Sequence, residues 1–351
     1  SERPEAPRSP LFGVSTKVKA AFNMAARRGR GLLVLDPPFP ARVAFRFAVR
    51  SGGRILPHYT KGYESHAWVR DARLRESMEG LPGDGEFESL FARILPGELP
   101  MAFLEGYRDL GARAARRFPS KPKAVFASNA WYYDEVFKRW AAERAGRGTR
   151  LLGCQHGGNY GSLAVNPSEA HEKAVTDRYY TWGWEDAANP RLVPMPAPLL
   201  ASVAPIGADG RKAGVLFVTT SASRYMQTMS LTAERTRDSI ERQFRFVGAL
   251  RDEDRAALVH RPHFVDYGWD VVERWKDRFP AVPVQTWRTP FLDALRACRL
   301  FVCDHFSTTY AQALALDMPC VLFWDSRTNE NRLRPDAKVY HDALRSVGVL
   351  H

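Results

Sequence analysis

Short apolar segments alternate with longer stretches of helical spacing along this chain, and they do so in two separate runs. In the first run, 31–36 (GLLVLD), 54–58, 123–128 (KAVFAS), 149–154 (TRLLGC) and 177–184 read as strands. Between them, 41–50, 61–95 with loops around 80–85, 100–118 and 131–145 read as helices. The second run reads as strands at 214–219, 256–260, 282–286, 300–304 and 319–324, with helices at 231–250, 270–279, 290–297 and 307–316. Strands separated by helices of this length cannot close as tight hairpins, so they pair in parallel. Residues 185–212 break the alternation with Pro190, Pro194, Pro196, Pro198 and Pro205, and with Gly207 and Gly210. The expected class is therefore α/β, with two Rossmann-like domains facing a cleft. Residues 1–190 form the first, 191–212 the linker and 213–351 the second.

The length of 351 residues suits two such domains. No apolar run approaches the roughly 20 residues that span a bilayer, and no basic-then-apolar leader is visible. The chain opens on Ser1, which agrees with a domain cut from a larger protein. Cys154, Cys298, Cys303 and Cys320 form no CxxC pair, so they read as buried free thiols in a reducing, cytoplasmic setting. Lys and Arg number 51 against 39 Asp and Glu, a formal charge of +12. That surplus is diffuse, and no zinc-finger, basic-zipper or RNP pattern accompanies it, so a nucleic-acid partner is not expected. Most of it suits helix surface and peripheral attachment to an anionic membrane face. A smaller part, Arg178, Arg224 and Arg261, falls near strand ends. Neither GxGxxG nor GxxxxGK[ST] is present.

Open parallel sheets bind ligands beyond the carboxyl ends of their strands, and polar residues cluster there. Gln155-His156-Gly157-Gly158-Asn159-Tyr160-Gly161 follows one strand. Its glycines let backbone N–H groups approach a ligand, and His156 can move a proton. Glu169 and Glu172 share a helix face, with His171 between them, Asp177 beyond and Ser168 placed as the cap. Such acids serve as general acid or base. His260-Arg261-Pro262-His263 suits a phosphoryl group, and so does the helix start Ser307-Thr308-Thr309 after Asp304-His305. Ser221 and Arg224 lie beyond the strand that opens the second run. No metal or other cofactor is expected, because no acidic or Cys/His set has ligand spacing.

These motifs resemble a family of bacterial surface-polysaccharide transferases. The resemblance covers roughly residues 95–330, through AVFASNAWYYDEVFKRWAAE, GCQHGGNYG, the Glu169/Glu172 pair, TDRYYTWGW, HRPH and DHFSTTYAQALALDMPCVLFWD. It implies a GT-B fold, similar to transferases of CMP-activated Kdo and sialic-acid-like ulosonic acids, with the CMP-sugar as co-substrate. It further implies that His260, Arg261, His263, Ser307, Thr308, Thr309, Ser221 and Arg224 bind the donor. Gln155, Gly157, Gly158 and Tyr160 then bind substrate, and Glu169, Glu172 and His156 carry the acid–base chemistry toward a glycan or lipid-linked glycan acceptor. Arg261 separates His260 from Pro262, and 219–225 holds no Asp or Glu, which leaves the stereochemical course open. A CDP-glycerol-type polyol phosphotransferase shares these motifs, and a non-catalytic nucleotide- or glycan-binding domain is the remaining alternative.

Overall fold

The computed structural model describes residues 15–60, 67–80, 82–201, 203–207, 213–225, 232–325 and 332–351. The first part of the chain holds α1 (Thr16–Arg28), β1 (Leu32–Leu35), α2 (Ala41–Arg50), β2 (Ile55–His58), α3 (Ala72–Glu76), α4 (Glu86–Glu98) and α5 (Tyr107–Arg117). It continues with β3 (Ala124–Ala127), α6 (Ala130–Tyr133), α7 (Glu135–Ala145), β4 (Arg150–Cys154), α8 (Pro167–Val175), β5 (Arg178–Thr181) and β6 (Leu192–Pro194). The second part holds β7 (Val215–Val218), α9 (Ala233–Gly248), α10 (Asp252–Ala256), β8 (Leu258–Arg261), α11 (Val271–Arg278) and α12 (Phe291–Arg296). It ends with β9 (Leu300–Cys303), α13 (Thr308–Ala315), β10 (Cys320–Leu322) and α14 (Pro335–Ser346).

The strands make two parallel sheets, in the orders β2-β1-β3-β4-β5-β6 and β10-β9-β7-β8, a Rossmann-like α/β arrangement. Because side chains alternate along a strand, Leu33, Leu35, Val125, Ala127 and Leu151 pack on α1, α5 and α7, around Trp131, Phe137 and Trp140. On the opposite face, Leu32, Val34, Ile55, Phe126, Leu152 and Tyr180 border an apolar cavity of about 480 Å³ with α2 and residues 195–201. In the second sheet β7 is buried throughout, between Phe301, Leu295 and Leu316 on one face and Trp275, Ile240 and Val247 on the other.

Several elements differ from the sequence reading, each for a local reason. The helix expected over 100–118 is a short 3-10 turn at Met101–Phe103 and then α5, because Leu104 leaves the helical region. The helix expected over 131–145 breaks at Asp134, whose carboxylate caps α7 by accepting from Phe137 N at 2.9 Å. The strand expected at 282–286 is reduced to a single bridge between Val284 and His260, since Pro283 has no N–H for the ladder. The expected linker contains an edge strand, β6, where Pro194 is tolerated. Residues 61–66, inside one expected helix, lie outside the described residues, as do 208–212 of the linker. Among the described residues, no helix is long and apolar enough to cross a membrane.

The two parts of the chain also touch. Ala164 N donates to Arg332 O at 2.7 Å, and Arg334 N to Ser162 O at 2.8 Å, around an antiparallel bridge between Leu163 and Leu333. A second contact forms where the loop after β4 meets the start of α13.

Candidate functional site

The loop after β4 is built around Gln155, which is buried. Its Nε2 donates to Gly157 O at 2.8 Å and to Tyr160 O at 3.4 Å. Its Oε1 accepts from Trp182 N at 2.9 Å and from Trp184 Nε1 at 2.7 Å. One amide therefore ties the QHGG turn to the TWGW segment after β5. Of the glycines that follow, Gly158 and Gly161 are sterically required. A Cβ on Gly158 would lie 2.6 Å from Ser307 O, and Gly158 N donates to Thr308 Oγ1 at 3.2 Å. Gly161 has φ of +73° and sits against the Trp184 indole. The carboxyl-end loops of the two sheets meet here, through Gly158 and the first turn of α13.

Helix α8 delivers both glutamates. Its cap is Asn166, which accepts from Glu169 N at 3.2 Å and sits before Pro167 at the first helical position. Ser168, expected to be the cap, donates to Asn166 Oδ1 instead. The two acids then do different work. Glu169 accepts from Gly161 N at 2.7 Å and from Lys173 Nζ at 2.8 Å, so it braces the glycine turn. Glu172 accepts from Tyr160 Oη at 3.0 Å and Tyr179 Oη at 2.9 Å, and its Oε1 lies 3.5 Å from His156 Nδ1. Burial pushes its pKa up to about 8, with the two tyrosine hydrogen bonds opposing. Burial also pulls His156 down to about 4. Opposed shifts in touching groups are the pattern of a proton-handling site. Of the pair, only His156 reaches the surface, with 21% of its side chain exposed against none for Glu172. The third residue of the expected pair region, His171, contacts Trp131 O at 3.0 Å.

In the second part, the structure sends His260 and Arg261 to opposite faces of β8. His260 has no exposed surface, stacks 3.6 Å from the Trp275 ring centre and pairs with Thr219 Oγ1 at 2.9 Å. Burial lowers its pKa to about 3. Arg261 faces the other way, beneath Trp287 and Phe291. It donates to Gln285 Oε1 at 2.7 Å and Thr289 O at 3.0 Å. It is 1% exposed, has no carboxylate partner among the described residues, and its Nε has no hydrogen-bond partner. Burial lowers its pKa to about 10. His263 packs with Phe264, Tyr267 and Trp287. Ser221 and Arg224 fasten their loop to Asp266 O and Gly268 O.

At the α13 start, the Asp304-His305 and Ser307–Thr309 cluster that the sequence singled out is joined into a relay that the sequence did not show. Asp304 accepts from Ser239 Oγ and Gln243 Nε2, and its other oxygen lies 3.1 Å from His305 Nδ1. His305 Nε2 lies 3.2 Å from Thr309 Oγ1, which is 3.4 Å from Ser307 Oγ. Burial opposes charge on His305, but Cys303 and Asp304 outweigh it and raise its pKa. The signal was present as adjacent Asp and His before a Ser/Thr helix start. Its force depends on Asp304 being held by α9, distant in sequence.

The α13 start, with its hydroxyls and the His305 imidazole, has the chemistry to receive an anion, and His156 lies in the loop packed against it. No curated protein matches the chain. Residues 13–351 match the sequence model of the LIC12162 family transferase, and with nearly its whole length covered the chain belongs to that family and is a transferase.

Proposed function

We propose that this transferase moves a sugar of the ulosonic class from a CMP-activated donor to a surface-glycan acceptor, with its two sheets arranged as in GT-B enzymes. The observation that carries this reading is the meeting of the loop after β4 with the start of α13 through Gly158 and Thr308. It brings the loop that carries His156 against the start of α13, the two features to which this reading assigns proton transfer and phosphate binding. The free N–H groups of α13, with Ser307, Thr309 and His305, hold the CMP phosphate as charge develops on leaving. Arg261, 1% exposed beneath Trp287 and Phe291, adds its positive charge to the donor side from within the fold rather than by direct contact. His156 takes the proton of the acceptor hydroxyl and passes it toward the Glu172 carboxylate, the form that becomes populated as pH rises toward and above about 8. Tyr160 orients both.

The test is direct. The protein is incubated with CMP-Kdo and, separately, with CDP-glycerol, and CMP release is followed. Release from CMP-Kdo alone is the expected result; release from CDP-glycerol alone replaces sugar transfer with polyol phosphate transfer. CMP is also expected to raise Tm, because a ligand that binds only the folded state stabilises it. An unchanged Tm at millimolar CMP, with no CMP release, overturns the cytidine reading.

A further inference from the structure

A second polar crevice lies in the first part of the chain and shares no lining residue with the loop at Gly158. It has a volume of about 310 Å³ and is lined by Arg27, Arg113, Arg116, Arg117 and His58, with Asn23, Tyr59 and Thr60 at its edge. The order β2-β1-β3 reverses the growth of the sheet between β1 and β3, and open α/β sheets take ligands at the carboxyl ends of such a switch point. His58 ends β2, and Val136, another lining residue, follows β3. Asp36, just beyond β1, holds φ of +40° and accepts from Thr60 N at 2.8 Å, which fixes the rim.

The charges in this crevice are unevenly answered. Asp109 pairs with Arg113 at 2.6 Å and Asp134 with Arg117 at 3.2 Å. Arg27 and Arg116 have no carboxylate partner among the described residues, although Arg27 donates to the Arg116 carbonyl. His58 is 2% exposed, and its Nδ1 is buried without a hydrogen-bond partner. Crowding cations around an unpartnered imidazole costs free energy unless an anion shares the site. Guanidinium forks match the oxygens of phosphate. We propose that this crevice is an oxyanion site that holds a phosphoryl group carried by the acceptor. Its place as an acceptor subsite rests on the proposed sugar transfer; its affinity for phosphate does not.

The experiment is calorimetric titration of the full chain with inorganic pyrophosphate, and with glucose 1-phosphate and phosphatidic-acid vesicles to separate soluble from lipid sources. The Arg27→Ala/Arg116→Ala double variant changes two exposed side chains, so its fold is expected to survive and is checked by circular dichroism. Binding of pyrophosphate and at least one phosphate source is expected, with about tenfold or greater loss in the variant. Arg251→Ala, an exposed arginine paired with Glu253 and Asp254, is expected to leave binding unchanged. In NMR titrations, pyrophosphate is expected to raise the His58 pKa from about 4. Failure to bind pyrophosphate, or equal affinity in the double variant, overturns the site. Intact pyrophosphate binding with no CMP binding overturns the donor reading instead and leaves the site standing.

Discussion

Glu172 and Glu169 are three residues apart on one helix, yet their environments assign them different tasks. Glu169 is committed to Gly161 N and Lys173, whereas Glu172 is enclosed by two phenols and His156. Burial holds the Glu172 carboxyl neutral up to about pH 8. If its anion is the proton acceptor, the transfer rate rises with pH and levels above pH 8. Glu172→Gln is expected to abolish that limb and to lower kcat by about 10²–10⁴-fold; a kcat–pH profile reads both. Stability provides an independent reading. A carboxyl whose folded pKa exceeds its ordinary value binds more protons folded than unfolded, so stability falls as pH rises from about 4.5 to about 8. Glu172→Gln removes that slope, which urea denaturation across the window measures. His260 belongs to the packing rather than to any accessible surface. His260→Ala is expected to cost about 2–4 kcal/mol, as for other buried truncations beneath a large ring. Its CMP affinity is expected to stay near that of the unaltered protein, and loss of CMP binding in a folded variant would return His260 to the donor site.

At the scale of elements, the loop after β4 and the start of α13 depend on a shared absence of side chain. Gly158→Ala forces a methyl group against the Ser307 carbonyl. Overpacking of this kind costs about 1–3 kcal/mol, and transfer is expected to fall with it. Gly207→Ala, where a Cβ meets nothing within 4 Å, is the control and is expected to be neutral in both assays. Helix α8 makes a parallel case. Asn166→Ala removes the cap and is expected to cost about 1 kcal/mol, read by thermal denaturation. The glutamates would remain on the same face but with a frayed first turn. The strands and most helices were legible from apolar runs and helical spacing, since those patterns reflect burial on a sheet or along a stripe. The breaks at Leu104 and Asp134 were not, because each depends on a local dihedral or a capping bond within an otherwise helical pattern.

At the scale of the whole molecule, the +12 charge resolves into parts. Many basic residues are answered on their own helices, as in Arg113–Asp109, Lys173–Glu169, Arg139–Glu143 and Lys338–Asp342. Arg261, Arg27 and Arg116 are not, and they concentrate the informative surplus in two places. The contact between the two parts of the chain is tied by the bridge of Leu163 with Leu333, while the C-terminal segment closes the second sheet, where Leu350 is buried against Leu322 of β10. Leu350→Ala is therefore expected to cost about 2–4 kcal/mol, measured by urea denaturation. Sequence by itself determined the α/β class, the parallel pairing and the loops in which glycine and polar residues cluster, because periodicity and turn residues record burial and strand ends locally. Tertiary structure alone decided which polar residues are buried in the packing and which line an open crevice. His260 and Arg261 are neighbours in sequence but face opposite sides of β8; Arg27 and Arg116 are 89 positions apart but line one crevice. Burial, charge pairing and proton affinity depend on what lies across space, and no linear pattern carries that.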